Sequence, residues 1–181
     1  MKKHLVFAVM LLIASMCLAQ RSVTKFMGVP VDGTKKEMIK KLEKKGFIYD
    51  SETGMLFGKY EGKDVYVTIH MKRKVVWRVG MSFVKSYDRY EAKKEFNEMC
   101  RWFERKPTGY VSLFGNRSQE IPEDEDIYYE SLSRGKQYQA AYLQDGDDAK
   151  FVWFVLDEQY GRFVLTVYFE NSYNGTGEED L

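Results

Sequence analysis

The sequence predicts an α+β fold, an antiparallel sheet with two helices packed on one face. Two segments, residues 35–45 and 88–105, have apolar side chains at helical spacing, and each begins at a capping residue. Short stretches of strand character, separated by turn residues, lie between and after them. The order is a helix and four strands, then a helix and three strands, which suggests two helix-plus-meander halves.

The first 19 residues are typical of a secretory signal peptide. Two lysines precede an apolar run from Leu5 to Leu18, and Ala19 supplies a small residue at the cleavage point. A lipoprotein would carry its lipid on Cys17, but Met16 is larger than the residue that a lipobox has there. The run is too short for an ordinary membrane span. We therefore expect a periplasmic or secreted protein with no membrane span after cleavage.

Composition limits what the remaining 162 residues can do. They hold 26 basic and 27 acidic side chains, and this balance argues against a nucleic-acid partner. They keep one cysteine, Cys100, and one histidine, His70, so no internal disulfide is possible. We expect a single α+β domain over residues 20–170. Residues 171–181 are polar, acidic and glycine-bearing, which predicts a disordered tail.

The stretch from Phe26 to Thr34 leads into the first helix. Thr34 and Glu37 have the spacing of a capping box, in which each side chain bonds the other residue's backbone N–H. Met38, Ile39 and Leu42 form one apolar stripe. Gly46 stands where a left-handed residue commonly ends a helix. The capping box, the apolar stripe and the glycine that follows together predict a helix over residues 35–45.

The next strong signal is a hairpin over residues 64–84. Its first strand alternates, with Val65, Val67, Ile69 and Met71 on one face and Tyr66, Thr68 and His70 on the other. Lys72-Arg73-Lys74 forms the turn. Its second strand places Val75, Trp77, Val79, Met81 and Phe83 opposite Val76, Arg78, Gly80 and Ser82. We expect the apolar face of the hairpin to pack against the helices and the other face to be exposed to solvent.

The second helix is predicted from Asp88 to Arg105, and Pro107 ends it. Asp88 and Glu91 repeat the capping-box spacing. Residues 107–135 then form a long connection that includes an acidic run over 120–126. A connection of this length is uncommon in a compact domain unless it is functional or mobile.

Three strands are predicted to close the chain, over residues 137–144, 150–157 and 162–170. The middle one is almost continuously apolar from Phe151 to Leu156. A continuous apolar run is typical of a strand with both faces covered, so we expect this strand to be central.

The stretch at 26–34, the hairpin at 64–84 and the closing segment Val164–Asn171 together resemble small exported proteins of the Bacteroidetes, most of them of unknown function. The order of helix-plus-meander halves is also similar to that of the beta-lactamase inhibitor protein fold, an exported binding module. No residues match the inhibitory contacts of that module, so the resemblance implies a fold and not an inhibitory role.

No set of residues predicts catalysis, a metal site or a cofactor. His70 lacks a recognisable nucleophile and orienting acid, and a buried mid-helix Cys100 would have a raised thiol pKa. A thiol hydrolase built from these two residues is a minor alternative. Carboxylates at 120–126 and at 145–148 could hold calcium, but neither run has the loop pattern of a calcium site. Solvated loops explain both runs.

The surplus of tyrosine is the remaining signal. Tyr66, Tyr138, Tyr142 and Tyr168 could share one exposed sheet face, with His70 on the strand of Tyr66. Flat aromatic surfaces bind sugar rings and protein partners, although cross-strand aromatic packing explains such residues without a ligand and is the interpretation that we favour. These five residues are the predicted binding residues.

We therefore expect an exported, non-enzymatic binding module that contacts a protein partner in the cell envelope. The alternative is a glycan-binding protein or an envelope hydrolase. The first hypothesis predicts that Tyr66 and Tyr168 are accessible neighbours on the sheet.

Overall fold

A computed structural model describes residues 22–105, 109–115 and 117–175 of the chain. The predicted signal peptide and residues 176–181 of the predicted tail lie outside these ranges. The strands are β1 (Lys25–Phe26), β2 (Val29–Pro30), β3 (Ile48–Tyr49), β4 (Leu56–Tyr60), β5 (Lys63–Lys72), β6 (Val75–Phe83), β7 (Tyr110–Ser112), β8 (Tyr138–Gln144), β9 (Lys150–Gln159) and β10 (Arg162–Asn171). The helices are α1 (Lys35–Glu43), α2 (Arg89–Glu104) and α3 (Ile127–Arg134).

The main sheet has eight strands in the order β3-β4-β5-β6-β10-β9-β8-β7, and all its described pairings are antiparallel. The predicted α+β class with an antiparallel sheet is confirmed. Each half has a helix followed by four strands, with α3 inserted between β7 and β8 in the second half, and the two sets of strands meet where β6 pairs with β10. Whether the halves arose by duplication stays a prediction.

Within the described residues, three helices rather than two supply the buried side chains that pack on one face of this sheet. The inward-facing strand residues join them in one continuous hydrophobic core. The alternation predicted for β5 is confirmed, because Val65 and Val67 are buried while Tyr66 is exposed. The opposite face of the sheet carries no helix in the described parts of the chain.

The capping box of α1 is present. Glu37 N donates to Thr34 Oγ1 over 3.3 Å, and Thr34 N donates to Glu37 Oε2 over 3.0 Å. At α2 only half of the pattern forms, because Asp88 accepts from the Tyr90 and Glu91 N–H groups while the Glu91 carboxylate pairs with Lys85.

The long connection predicted over residues 107–135 includes two elements of secondary structure. It contains β7, at the edge of the sheet, and α3. Asp126 caps α3 by accepting from two backbone N–H groups, Ile127 is buried, and Gly135 ends the helix with a φ of 63°. The acidic run thus ends in a helix cap, a function of carboxylates that its composition alone does not reveal.

The stretch before α1 forms a two-stranded hairpin, β1–β2, that is tied to the end of the chain. Phe26 is fully buried, and its ring centroid lies 5.1 Å from that of Phe169. Asn171 Nδ2 donates to the Val31 carbonyl over 2.9 Å, and Asn174 Nδ2 donates to Asp32 over 2.8 Å. Residues 171–175, which the sequence assigns to a disordered tail, are therefore anchored.

A bulge in the β5–β6 pair changes the predicted alternation of β6. His70 pairs with Arg78, but Met71 pairs with Val76, so Trp77 is the extra residue. Val76 consequently points into the core, and Trp77 is packed between the side chains of Lys72 and Arg78.

Candidate functional site

The sheet face opposite the helices is the candidate site, and we call it the open face. Strand pairing places its side chains in rows that run across the sheet. Its members include Phe57, Lys59, Asp64, Tyr66, Thr68, His70, Arg78, Gly80, Ser82, Gln139, Ala141, Leu143, Phe151, Trp153, Val155, Asp157, Gln159, Arg162, Val164, Thr166, Tyr168 and Glu170. Aromatic, aliphatic and hydroxyl side chains thus share a surface that no described helix covers.

Two rings form the centre of the open face. Trp153 on β9 pairs directly with Tyr168 on β10, and their ring centroids are 4.5 Å apart with planes inclined by 25°. Both residues are half-buried. Burial raises the pKa of the Tyr168 phenol above its usual value near 10, so the ring is uncharged at neutral pH as an ordinary tyrosine is. A stacked, uncharged aromatic pair offers a rigid apolar contact surface.

An ion pair holds this stack in place. Glu170 Oε1 accepts from Arg78 Nε over 2.9 Å and from Trp153 Nε1 over 2.7 Å. The Arg78 guanidinium carbon lies 4.0 Å from the ring centroid of Trp77 and 5.3 Å from that of Tyr168. The carboxylate therefore fixes both the cation and the indole, and the cation contacts aromatic rings on two sides.

Gly80 gives the Tyr168 ring the space that it occupies. A Cβ at this position would lie 2.7 Å from Thr68 Oγ1 and 3.2 Å from Tyr168 Cε1. Any side chain on Gly80 would thus displace one of these groups. Gly80 therefore matters because it has no side chain, which leaves room for Thr68 and for the Tyr168 ring.

A second aromatic group lies toward the β4 edge of the same face. Tyr66 is 42% exposed and Phe57 is 40% exposed, and their ring centroids are 5.6 Å apart. Ile48, which pairs with Phe57, is 70% exposed. This apolar group has no cover among the described residues, and exposed apolar patches commonly mark binding surfaces.

The structure divides the five predicted binding residues between the two sides of the sheet. Tyr66, His70 and Tyr168 lie on the open face, where Tyr66 and Tyr168 are both accessible but stand on strands separated by β6. Tyr138 and Tyr142 lie on the helix side. Their binding role stays untested.

The expectation of one shared tyrosine face is therefore wrong for Tyr138 and Tyr142. Tyr142 is fully buried against Phe103, with centroids 4.9 Å apart, and its hydroxyl donates to Glu104. The Tyr138 hydroxyl donates to Glu125 over 2.7 Å. Each phenol satisfies its polar group at the margin of the core, which is why a tyrosine is tolerated there.

His70 and Cys100 do not meet. Cys100 lies on the inner side of α2 and is fully buried, whereas His70 lies on the open face, with Nε2 3.1 Å from Thr68 Oγ1. Burial raises the pKa of the Cys100 thiol to about 12. The sheet separates the two groups, so they form no thiol–imidazole pair.

We expect Cys100 to resist alkylation in the folded protein. At pH 8 a thiol with a pKa of about 12 is almost entirely protonated, and its burial also excludes the reagent. Iodoacetamide should label Cys100 only after urea unfolds the chain, as peptide mass mapping would show. Rapid labelling of the native protein would contradict the placement of this thiol.

The two acidic runs are engaged in structural contacts. Glu120 pairs with Arg101, and Glu125 pairs with Lys136, whose hydrogen bond lowers the pKa of the Glu125 carboxyl. Asp145 pairs with the buried Lys150 over 2.8 Å. Among the described residues, no three histidine, cysteine or acidic side chains group in a way that could hold a metal ion.

Three residues of the open face were missed by sequence reasoning: Arg78, Trp153 and Glu170. The apolar run in β9 predicted a strand covered on both faces, but Phe151 and Trp153 are only half-buried. That run is the signal, because an apolar strand with one uncovered face must present aromatic side chains to solvent.

Comparison of the chain with protein-family models, with curated proteins and with solved structures found no match. The resemblances drawn from the sequence therefore stay predictions. Within the described ranges, none of the helices is both long enough and apolar enough to cross a membrane.

Proposed function

We propose that the protein is an exported, non-enzymatic binding module that contacts a protein partner in the cell envelope through the open face. One observation carries this proposal. An antiparallel sheet with an uncovered face usually alternates toward polar residues on that side. Here the uncovered side instead carries Phe57, Tyr66, Phe151, Trp153 and Tyr168.

The dimensions of the face suit a protein partner. Eight strands at about 4.8 Å spacing and central strands of nine or ten residues give an area on the order of 1,000 Å². A standard protein–protein interface covers about 800 Å² on each partner. Aromatic residues and arginine, both present at the centre of this face, are enriched in such interfaces.

A glycan is the second candidate ligand, and one observation favours it. Hydroxyl groups line the face beside the Trp153–Tyr168 stack, including the Ser82–Thr166 pair with oxygens 2.9 Å apart. Sugar rings need both aromatic contact and hydroxyl partners. Against this, each ring of the stack already covers one face of its neighbour, which leaves less flat surface for a sugar.

Site-specific photocrosslinking in the producing cells tests the proposal. A benzoyl-phenylalanine replacing Tyr66 should give a discrete protein adduct that Trp153→Ala, elsewhere on the open face, abolishes. The matched control replaces Tyr90, which is 70% exposed on α2, on the helix side.

An adduct formed only from position 90 would contradict the choice of face. Binding of the purified chain to a glycan array, lost in Trp153→Ala and accompanied by no protein adduct, would establish the second candidate instead.

A further inference from the structure

Asp157 differs from the other acidic residues of the open face. It is half-buried on β9, where it pairs across the sheet with Val164, and Val155 precedes it on the same side. Among the described residues it makes no hydrogen bond and no ion pair. Burial raises the pKa of its carboxyl, and no partner offsets this effect.

The other carboxylates on this side are paired. Glu170 binds Arg78 and Trp153, and Asp64 binds Lys59 over 2.8 Å. Arg162, two residues before Val164 on the same side of β10, donates instead to Ser86. Within the part of the chain that the structure describes, Asp157 is therefore the carboxylate of the open face that no cation pairs with. A half-buried carboxylate without a partner is unfavourable in the free protein, and an interface that brings a cation to it removes that cost.

We propose that the partner bound at the open face presents a lysine or arginine side chain that pairs with Asp157, next to an apolar side chain that contacts Trp153. This inference rests on the proposed function and adds the chemistry of the partner. The inference rests on the charge complementarity between Asp157 and a cationic side chain. Asp157 and Trp153 lie on the same side of β9, four residues and about 13 Å apart, a distance that an extended peptide segment spans with five residues.

Two blocked peptides test the inference on the purified chain. One has the sequence Leu-Ser-Thr-Ser-Lys, and the other has glutamine in place of lysine. We expect the lysine peptide to shift the NMR signal of the Trp153 indole N–H and to bind about three- to fivefold more tightly, the size of a partly exposed ion pair. In Asp157→Asn this preference should disappear.

Asp148→Asn is the matched control, because it removes one exposed carboxylate from the β8–β9 turn without touching the open face. It should leave the preference for lysine unchanged. The urea midpoint of Asp157→Asn at pH 7 should be no lower than that of the parent chain, since the substitution removes an unpaired carboxylate. A lower midpoint would show that Asp157 has a structural partner and would overturn the inference.

Equal affinity for the two peptides, or a preference that persists in Asp157→Asn, would also overturn it. If neither peptide binds while the Tyr66 crosslink still forms, the cationic partner is wrong and the proposed function stands. If neither peptide binds and no crosslink forms from Tyr66, the inference and the proposed function both fail. Concentration-dependent dimerisation that Asp157→Lys abolishes would assign the face to a second copy of the chain and overturn the inference.

Discussion

Replacing Phe103 with alanine should lower the free energy of unfolding by about 3–5 kcal/mol. Phe103 is almost fully buried at the end of α2, where its ring stacks on those of Tyr142 and Phe154 at centroid distances of 4.9 and 5.6 Å. Tyr110 of the edge strand β7 packs against it edge-on at 4.7 Å. The cavity would open among these three rings, which belong to separate strands of the sheet, so little of the loss would be recovered.

Urea unfolding followed by tryptophan fluorescence measures this effect, and for a chain of this size the melting temperature should fall by about 10 °C. Phe114→Ala removes the same side chain from a position that is 54% exposed and should change stability by no more than about 0.5 kcal/mol. Comparable losses in the two variants would show that the ring cluster is not the centre of the core.

Glu170→Gln should cost about 2 kcal/mol, because it leaves the Arg78 charge half-buried without its counterion. The side chains of Arg78 and Glu170 are only 24% and 15% exposed, so water compensates poorly for the lost carboxylate. The Trp153 indole also loses a charged acceptor. We expect the near-ultraviolet circular dichroism of the Trp153–Tyr168 stack to weaken in this variant.

A double-mutant cycle with Arg78→Met measures the interaction between Arg78 and Glu170. The loss in free energy of unfolding of the double variant should be clearly smaller than the sum of the losses of the two single variants. Asp64→Asn provides the comparison, since the Lys59–Asp64 pair is 68% and 50% exposed and should contribute at most about 0.5 kcal/mol. A loss in Glu170→Gln no larger than that in Asp64→Asn would mean that the ion pair does not organise the open face.

Local patterns in the sequence were sufficient for the helices α1 and α2 and for the strands of the β5–β6 hairpin. The Thr34 and Asp88 caps and the alternation of β5 each depend on neighbours within a few residues, and such signals are readable without the fold. The α3 helix was missed because its eight residues present one buried side chain, Ile127, which is too little to give a periodic pattern.

The candidate site was only partly predictable because alternation within a strand does not say which set of side chains faces the helices. Alternation places Tyr138 and Tyr142 on the same face of β8 as Ala140. Whether that face points inward depends on how β8 pairs with β9. The Arg78–Glu170 pair joins residues 92 positions apart. Its existence depends on the β6–β10 pairing, which no local pattern encodes.

The pairing of β6 with β10 limits the order in which the sheet can form. Because β10, the last of the described strands, joins the two meanders, β6 cannot gain its second neighbour until nearly all of these residues are available. Contacts such as Ser82–Thr166 span 84 positions, and pairing over such distances is slow. An incomplete chain therefore presents the unpaired edge of β6. A chain truncated before β10 should aggregate rather than form a stable half.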